Sequence, residues 1–221
     1  MQKKVKDDII GALHEFHDRE FATGWAERFT PTPPRLELFR IILSELQSGI
    51  PEDGCVVELG IGPGYLAGHI LHAMPKIRYI GVDFSQPMLD IARTRLHSYS
   101  ARITYIQANL IQDDWAGMIY APVNAVVSTW ALHDLGSQQS VAKVYAKSAK
   151  TLAAGGVFLN GDFIKHEGTA HEFEPGRFGI ERHLELLRKA GFRDPECLVL
   201  LEEEKKSPTP AQNYACFKGI K

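Results

Sequence analysis

Val56-Val57-Glu58-Leu59-Gly60-Ile61-Gly62-Pro63-Gly64-Tyr65 runs from an apolar strand pattern into three alternate glycines and then into a helical pattern. Glycines at such a turn let the backbone reverse tightly and let a ligand approach the main chain, with the next helix N-terminus close by. A plain strand-to-helix turn uses the same residue types, so the loop acquires chemical meaning only from its surroundings. Its spacing already separates ligand classes. A dinucleotide loop is written G-x-G-x-x-G, but here the third glycine comes one residue early, at Gly64, and Tyr65 stands where that pattern needs glycine. Pro63 also removes a backbone N–H donor from the part of the loop that would cradle phosphates. Both features argue against a pyrophosphate and hence against a nicotinamide oxidoreductase.

Outward from the loop, short apolar runs alternate with helical segments, the signature of a parallel sheet covered on both faces. Strands are expected over 55–59, 79–82, 103–107, 125–129 and 156–161, and helices over 65–74, 86–98, 113–119 and 138–152. A last helix over 180–190 closes at Gly191, and strands follow over 198–203 and 214–218. Those two are too close for a parallel crossover and are expected to pair antiparallel. The first fifty residues differ in texture. Phe16, Phe21, Trp25 and Phe29 recur at helical spacing before Thr30-Pro31-Thr32-Pro33-Pro34 stops the helix. A second helix over 35–47 then puts Leu36, Phe39, Ile42, Leu43 and Leu46 on one face and ends near Gly49. The expected architecture is α/β throughout: one domain over 1–221, with an N-terminal helical cover over 1–50 and an α/β core over 51–221.

Composition agrees with that size and class. The 221 residues are 44% hydrophobic and 24% charged, the make-up of one globular domain with a full core. Lys+Arg of 25 against Asp+Glu of 27 gives a net charge of -2, so no global basic field gathers nucleic acid or anionic membrane. Cys55, Cys197 and Cys216 show no C-x-x-C spacing, which implies neither a disulfide framework nor a thiolate zinc site and fits a reducing cytoplasm. The opening residues mix Ile9 and Ile10 with Glu15, Asp18, Arg19 and Glu20, which interrupts any signal or membrane-spanning run, so a soluble, unprocessed chain is expected.

Glu58-Leu59-Gly60-Ile61-Gly62-Pro63-Gly64 resembles the first motif, E/D-x-G-x-G-x-G, of the class I (Rossmann-like) S-adenosylmethionine-dependent methyltransferases, in particular their small-molecule branch. Tyr79-Ile80-Gly81-Val82-Asp83-Phe84-Ser85 is similar to the family's second strand, whose terminal acid binds the ribose hydroxyls, and Gln86-Pro87-Met88-Leu89 to the helix start after it. Independently of the family, Asp83 lies about 20 residues beyond the loop, where a carboxylate can accept both vicinal hydroxyl protons. Ile106-Gln107-Ala108-Asn109-Leu110 resembles the segment flanking the adenine, with Asn109 where Asp is usual. Asn124 likewise opens the fourth strand where the family generally has Asp. Leu152-Ala153-Ala154-Gly155-Gly156 and Leu186 to Phe192 resemble the fifth-strand entry and the late helix. The resemblance implies a three-layer sandwich around a seven-stranded, mostly parallel sheet with an antiparallel C-terminal strand.

It also implies the cofactor S-adenosyl-L-methionine, the product S-adenosyl-L-homocysteine and in-line methyl transfer to a small-molecule acceptor. Glu58, Gly60, Gly62 and Gly64 would serve its methionine and ribose end, Asp83 the ribose, Phe84, Met88, Asn109 and Leu110 the adenine, and the Ser128 carbonyl the ammonium. Alternatives remain: a non-catalytic cofactor-binding or partner protein of this fold, or a nucleic-acid methyltransferase acting through a local basic patch. A general base is needed only for a protonated acceptor, and His133, just past the fourth strand, has the intrinsic pKa for it. By the resemblance, the aromatic helix around Phe21, Trp25 and Phe29 and the segment 162–177 would cover the pocket, with Arg28, Arg35 or Arg177 able to pair with a carboxylate, whereas the amphipathic stripe itself favours packing of the N-terminal helix onto the sheet. His14 and His17, like His166 and His171, lack a third convincing ligand, so no metal is implied.

Overall fold

Val56 and Val57 are both fully buried, yet they point into different cores, and this alternation organises the molecule. The computed structural model describes residues 14–29, 31–165, 175–202 and 213–221. Among these, α1 (Arg19–Arg28) and α2 (Pro33–Gly49) precede β1 (Cys55–Leu59), α3 (Tyr65–Ala73), β2 (Arg78–Asp83), α4 (Gln86–Arg95) and β3 (Ile103–Gln107). There follow β4 (Val123–Thr129), α5 (Gln138–Thr151), β5 (Leu152–Phe163), α6 (Ile180–Ala190), β6 (Arg193–Glu202) and β7 (Asn213–Ile220). The seven strands lie in the order β3-β2-β1-β4-β5-β7-β6. All neighbours from β3 to β5 are parallel, and β7 is inserted antiparallel between β5 and β6. Leu38, Phe39, Ile42, Leu66, Ile70 and Leu89 pack helices α2, α3 and α4 onto one face, with Val56. Val141, Val144, Tyr145, Leu184 and Leu187 of α5 and α6 pack on the other, with Val57. The expected α/β sandwich with its antiparallel C-terminal strand is therefore the observed one.

Local departures from the sequence reading have physical causes. Phe16 lies outside α1, in a separate 3-10 turn (Glu15–His17), because the Asp18 carboxylate accepts from Phe21 N at 2.7 Å and starts the helix there. Pro33 and Pro34 do not stay outside α2 but form its first turn, where the missing N–H needs no partner, and the helix runs through Gly49. The helix expected over 113–119 reduces to a 3-10 turn (Ala116–Met118), since Trp115 is fully buried and donates through Nε1 to the Leu110 carbonyl. The expected helix over 86–98 ends at Arg95 and is followed by a 3-10 turn (His97–Tyr99). β5 begins at Leu152, four residues early, and absorbs the Gly155 left-handed residue in a register shift opposite β4. Asn124 accepts from Cys55 N at 2.9 Å and so ties the starts of β4 and β1 together. Ser207-Pro208-Thr209-Pro210 and Glu203 lie outside the described residues.

Leu38 holds α2 to the sheet. It is fully buried, and a Cβ on Gly161 of β5 would stand 2.5 Å from its Cδ2. Leu38→Ala is expected to lower the unfolding free energy by about 2–5 kcal/mol, read from urea denaturation, because the rigid strand cannot collapse into the space.

Candidate functional site

The chain leaves β1 for β2 and β3 on one side of the sheet and returns to β4 and β5 on the other. At such a reversal the loops after the two central strands part and open a crevice at their C-terminal ends. Gly60 has φ of 72°, and a Cβ there would stand 2.4 Å from the Ala131 Cβ on the loop after β4. Only glycine lets the two loops approach so closely. Gly62 also has positive φ, 51°, but nothing lies within 4 Å of its Cβ direction, so its main chain faces open space. Asp83 ends β2 and locks this loop: its carboxylate accepts from Gly62 N at 2.8 Å and from Ser85 N at 2.9 Å. Ser85 in turn caps α4 by accepting from Met88 N.

These groups border a cavity of about 590 Å³. Glu58, Gly60, Gly62, Asp83, Phe84, Met88 and Leu110 line one part of it, and His14 and Phe16 of the N-terminal segment border it too. His14 and His17 each meet the Phe84 ring edge-on, at 5.2 Å. Glu58 is 1% exposed and accepts from the Tyr79 hydroxyl at 2.8 Å. Burial pushes its carboxyl up to about 8, against the lowering effect of that hydrogen bond, and the nearby Asp83 charge adds to the rise. Burial also raises Asp83, to about 6, although the Ser85, Gly62 and Phe84 N–H groups partly offset it.

The rest of the cavity is aromatic and basic. Trp25, Phe29, Phe39, Trp130 and Phe163 line it with Arg35, His133 and Arg177. Trp25 stacks on Phe29 at 4.6 Å, and Trp130 meets Tyr214 edge-on at 5.4 Å. Trp130 is held at φ of 47°, a conformation costly for a bulky side chain. His133 sits in a 3-10 turn (Leu132–Asp134), with Nδ1 2.7 Å from one Asp162 oxygen while the other accepts from Leu132 N and His133 N. Its Nε2 lies 3.2 Å from Asp134 Oδ1. Burial works to lower the imidazole pKa, but the charge of Asp162 and its hydrogen bond outweigh it and leave the group raised.

A methyltransferase-domain family profile matches residues 56–156, the stretch that carries the glycine loop, Asp83 and His133. This stretch of the chain is a methyltransferase domain. It is 26% identical over its whole length to a carboxy-S-adenosyl-L-methionine synthase from Helicobacter hepaticus, of which it spans 91%. Over 58% of its length it is 30% identical to a malonyl-[acyl-carrier protein] O-methyltransferase from Bacillus cytotoxicus, of which it spans 42%. The fold matches that of human N-acetylserotonin methyltransferase in complex with S-adenosylmethionine, with a TM-score of 0.64 and 14% identity over 94% of this chain and 57% of that one.

S-adenosylmethionine is thus the cofactor that the methyltransferase's cavity has to fit, and the residues present fit it. An open glycine edge at Gly62 lies between two buried carboxyls, and Phe84, Met88 and Leu110 supply apolar contact of the kind a purine needs. Of the eleven residues assigned from sequence to the cofactor or to the general base, eight border the one cavity: Glu58, Gly60, Gly62, Asp83, Phe84, Met88, Leu110 and His133. Three do not. Gly64 caps α3 in the left-handed conformation with its Cβ direction toward Leu96, 2.9 Å away, so it serves packing. The Asn109 side chain accepts from Ile111 N and Gln112 N and shapes its own turn. The Ser128 side chain is buried, its hydroxyl donating to the Leu59 carbonyl, and the next residue, Thr129, borders the cavity.

Sequence reading missed Asp162 as the partner of His133 and Trp130 as a cavity wall, whereas Phe163 and Arg177 lie in the segment expected to cover the pocket and do border it. Asp162 has a signal in retrospect, since Asn160 and Asp162 alternate with apolar residues and continue the β5 period past Gly161. Of the segment expected to cover the pocket, 166–174 lies outside the described residues, as do His166 and His171, and Phe21 and Arg28 do not border the cavity. Among the described residues no group of three or more His, Cys, Asp or Glu could hold a metal.

Glu58 binds its proton more tightly in the folded methyltransferase than in the unfolded chain. Its contribution to stability is therefore complete below the usual carboxyl value of 4.5 and is lost as pH rises through about 8. Glu58→Gln keeps an acceptor for Tyr79, so thermal denaturation without ligand should show the variant gaining several degrees on the parent between pH 5 and pH 9. A constant difference across that range would contradict the buried carboxyl as its source.

Proposed function

We propose that the chain transfers a methyl group to a small-molecule acceptor held between the cofactor end of the cavity and the aromatic wall around His133. What carries this reading is the continuity of the two: one cavity borders both the glycine loop and the His133–Asp162 pair. The Helicobacter relative is named for making a small molecule and the Bacillus relative for methylating a carrier-bound malonyl group, which supports a small or acyl acceptor. No described helix is long and apolar enough to cross a membrane, and the three thiols are free, in keeping with action in the cytoplasm.

S-adenosylmethionine, when bound, supplies a sulfonium whose methyl carbon takes the acceptor's lone pair while the carbon–sulfur pair returns to sulfur, leaving S-adenosylhomocysteine. Asp83 and Glu58 would hold its ribose and methionyl parts, Gly60 and Gly62 its closest approach to the main chain. Gly64, Asn109 and Ser128 support the loops around it. The protein otherwise contributes alignment and exclusion of water, for which Trp25, Phe29 and Trp130 are suited. His133 takes the acceptor's proton at Nε2. Asp162 fixes the imidazole with Nδ1–H toward the carboxylate, so that the neutral ring carries its lone pair at Nε2, and stabilises the imidazolium that forms. Asp134, partly exposed beside Nε2, is placed to pass that proton to solvent.

Titration calorimetry with S-adenosylhomocysteine should show one-to-one binding, none with NAD, and loss of affinity in Asp83→Ala. The affinity should also fall as pH drops through about 6, where the Asp83 carboxyl becomes protonated. Absence of binding, or a response to NAD alone, would overturn the cofactor assignment. For any hydroxyl or amine acceptor turned over, the acid limb of kcat/KM should lie above the ordinary imidazole value of 6.5, because His133 must be neutral to act. His133→Ala should lower kcat about 100-fold or more. Asp162→Asn should move the limb to lower pH, and a pH profile unchanged in both variants would remove His133 as the base.

A further inference from the structure

We infer that Tyr79 is a positioning residue for the cofactor: its hydroxyl fixes one oxygen of the Glu58 carboxylate, so that the other is presented to the cofactor's methionyl ammonium. This rests on the methyl-transfer reading, in which Glu58 serves the methionyl part, and adds to it a residue that does not itself border the cavity. Strand alternation sets the pair on one face of the sheet. Val56 lies opposite Tyr79 and Glu58 opposite Gly81, and Val56 and Tyr79 both belong to the core under α2, α3 and α4. Tyr79, Gly81 and Asp83 therefore share the Glu58 face. Gly81 offers no side chain, and a Cβ there would collide with Ile61 Cδ1, which fills the space. What β2 presents to Glu58 is thus a hydrogen-bond donor, Tyr79, and a like charge, Asp83.

Tyr79 is 1% exposed, and its hydroxyl donates to Glu58 Oε2 at 2.8 Å, its one hydrogen bond among the described residues. Burial, with the Glu58 charge, holds the phenol well above the ordinary tyrosine value, so it stays a donor through mildly alkaline pH. Among the described residues no donor meets the other carboxylate oxygen, and Glu58 borders the cavity. Burial and the Asp83 charge favour the protonated carboxyl, and the Tyr79 hydrogen bond is what favours the anion. Glu58 then gives up its proton as the ammonium binds, and Tyr79 lowers the cost of that loss. Of the other titratable or charged groups round the cavity, His14 and Glu15 come from the N-terminal segment, Arg35 from α2, Tyr65 from α3, and His133, Asp134 and Arg177 from the far wall. These are common to the parent and every variant below, so a comparison between them isolates Tyr79 and Glu58.

The test is calorimetric titration with S-adenosylhomocysteine, and with adenosine, which lacks the ammonium, in buffers of different ionisation enthalpy, so that the protons released on binding are counted. At pH 7 the parent should release about one more proton with S-adenosylhomocysteine than with adenosine, whose own release reports Asp83. Glu58→Gln should abolish that excess. Tyr79→Phe should bind adenosine as the parent does, which reports folding. It should bind S-adenosylhomocysteine about tenfold more weakly at pH 7, the loss narrowing to about twofold at pH 9 as Glu58 ionises unaided. A merely structural role would weaken both ligands alike at every pH. Tyr79→3-fluorotyrosine, nearly the same size but a more acidic phenol, should move the excess release to lower pH, and it decides the matter if Tyr79→Phe does not fold. Binding of S-adenosylhomocysteine without excess release, or a pH profile that neither Tyr79 variant moves, overturns the assignment. No binding of S-adenosylhomocysteine to the parent overturns the methyl-transfer reading beneath it instead.

Discussion

Residue 60 stands where two loops leave adjacent parallel strands and must pass within van der Waals contact of each other. The strand order reverses at β1 and β4, and the crevice between their following loops can form only if the loops diverge from a common close point. The Gly60 main chain against Ala131 is that point. From it, Ile61 and Gly62 turn toward Asp83 on one side, while Trp130 to His133 turn toward Asp162 on the other. Asp83 ends β2 and Asp162 lies one residue before the end of β5, and both accept from main-chain N–H groups of the neighbouring loop. The two halves of the cavity are thus built by the same device on opposite sides of one contact.

The site concentrates features that a core selected for stability alone would avoid. Glu58 and Asp83 are buried carboxyls raised by desolvation, and Trp130 is bulky yet left-handed. Each costs free energy in the ligand-free fold, and each is held by stronger surroundings. Fully buried β1 and β4 residues and the two apolar clusters on either face supply that rigidity. A ligand with a cation near Glu58 and hydroxyls near Asp83 would relieve part of the cost, so binding and stability are coupled through the same groups.

The two parts of the cavity also differ in their linings. Glu58 and Asp83 border the glycine loop, whereas the aromatic wall gathers His133, Arg35 and Arg177 together with Asp134, and the Asp162 carboxylate lies behind His133. The net charge of -2 over the whole chain conceals how closely opposite charges are gathered there.

The glycine spacing, the strand-helix alternation and the acid ending β2 carried the fold class from sequence alone, and the cofactor class followed from the resemblance of those motifs to the class I methyltransferases. Those signals are local: a turn, a period and a strand terminus are each set by residues close in the chain. The exceptions show the limit of locality. Gly64 belongs to the motif yet packs on Leu96, and Asn109 bonds to its own turn, because motif membership does not say which way a group faces. Pro33 and Pro34 read as a break and proved a helix start, since proline is excluded from helix interiors but not from first turns. Only the tertiary structure decided that Asp162 reaches His133 across 29 residues and that Gly176 sets Arg177 beside them. It alone also decided that Trp130 and Phe163 share one wall, each meeting the buried Tyr214 ring behind them. Such partners come from strands and turns distant in the chain, and the packing of the sheet is what brings them together.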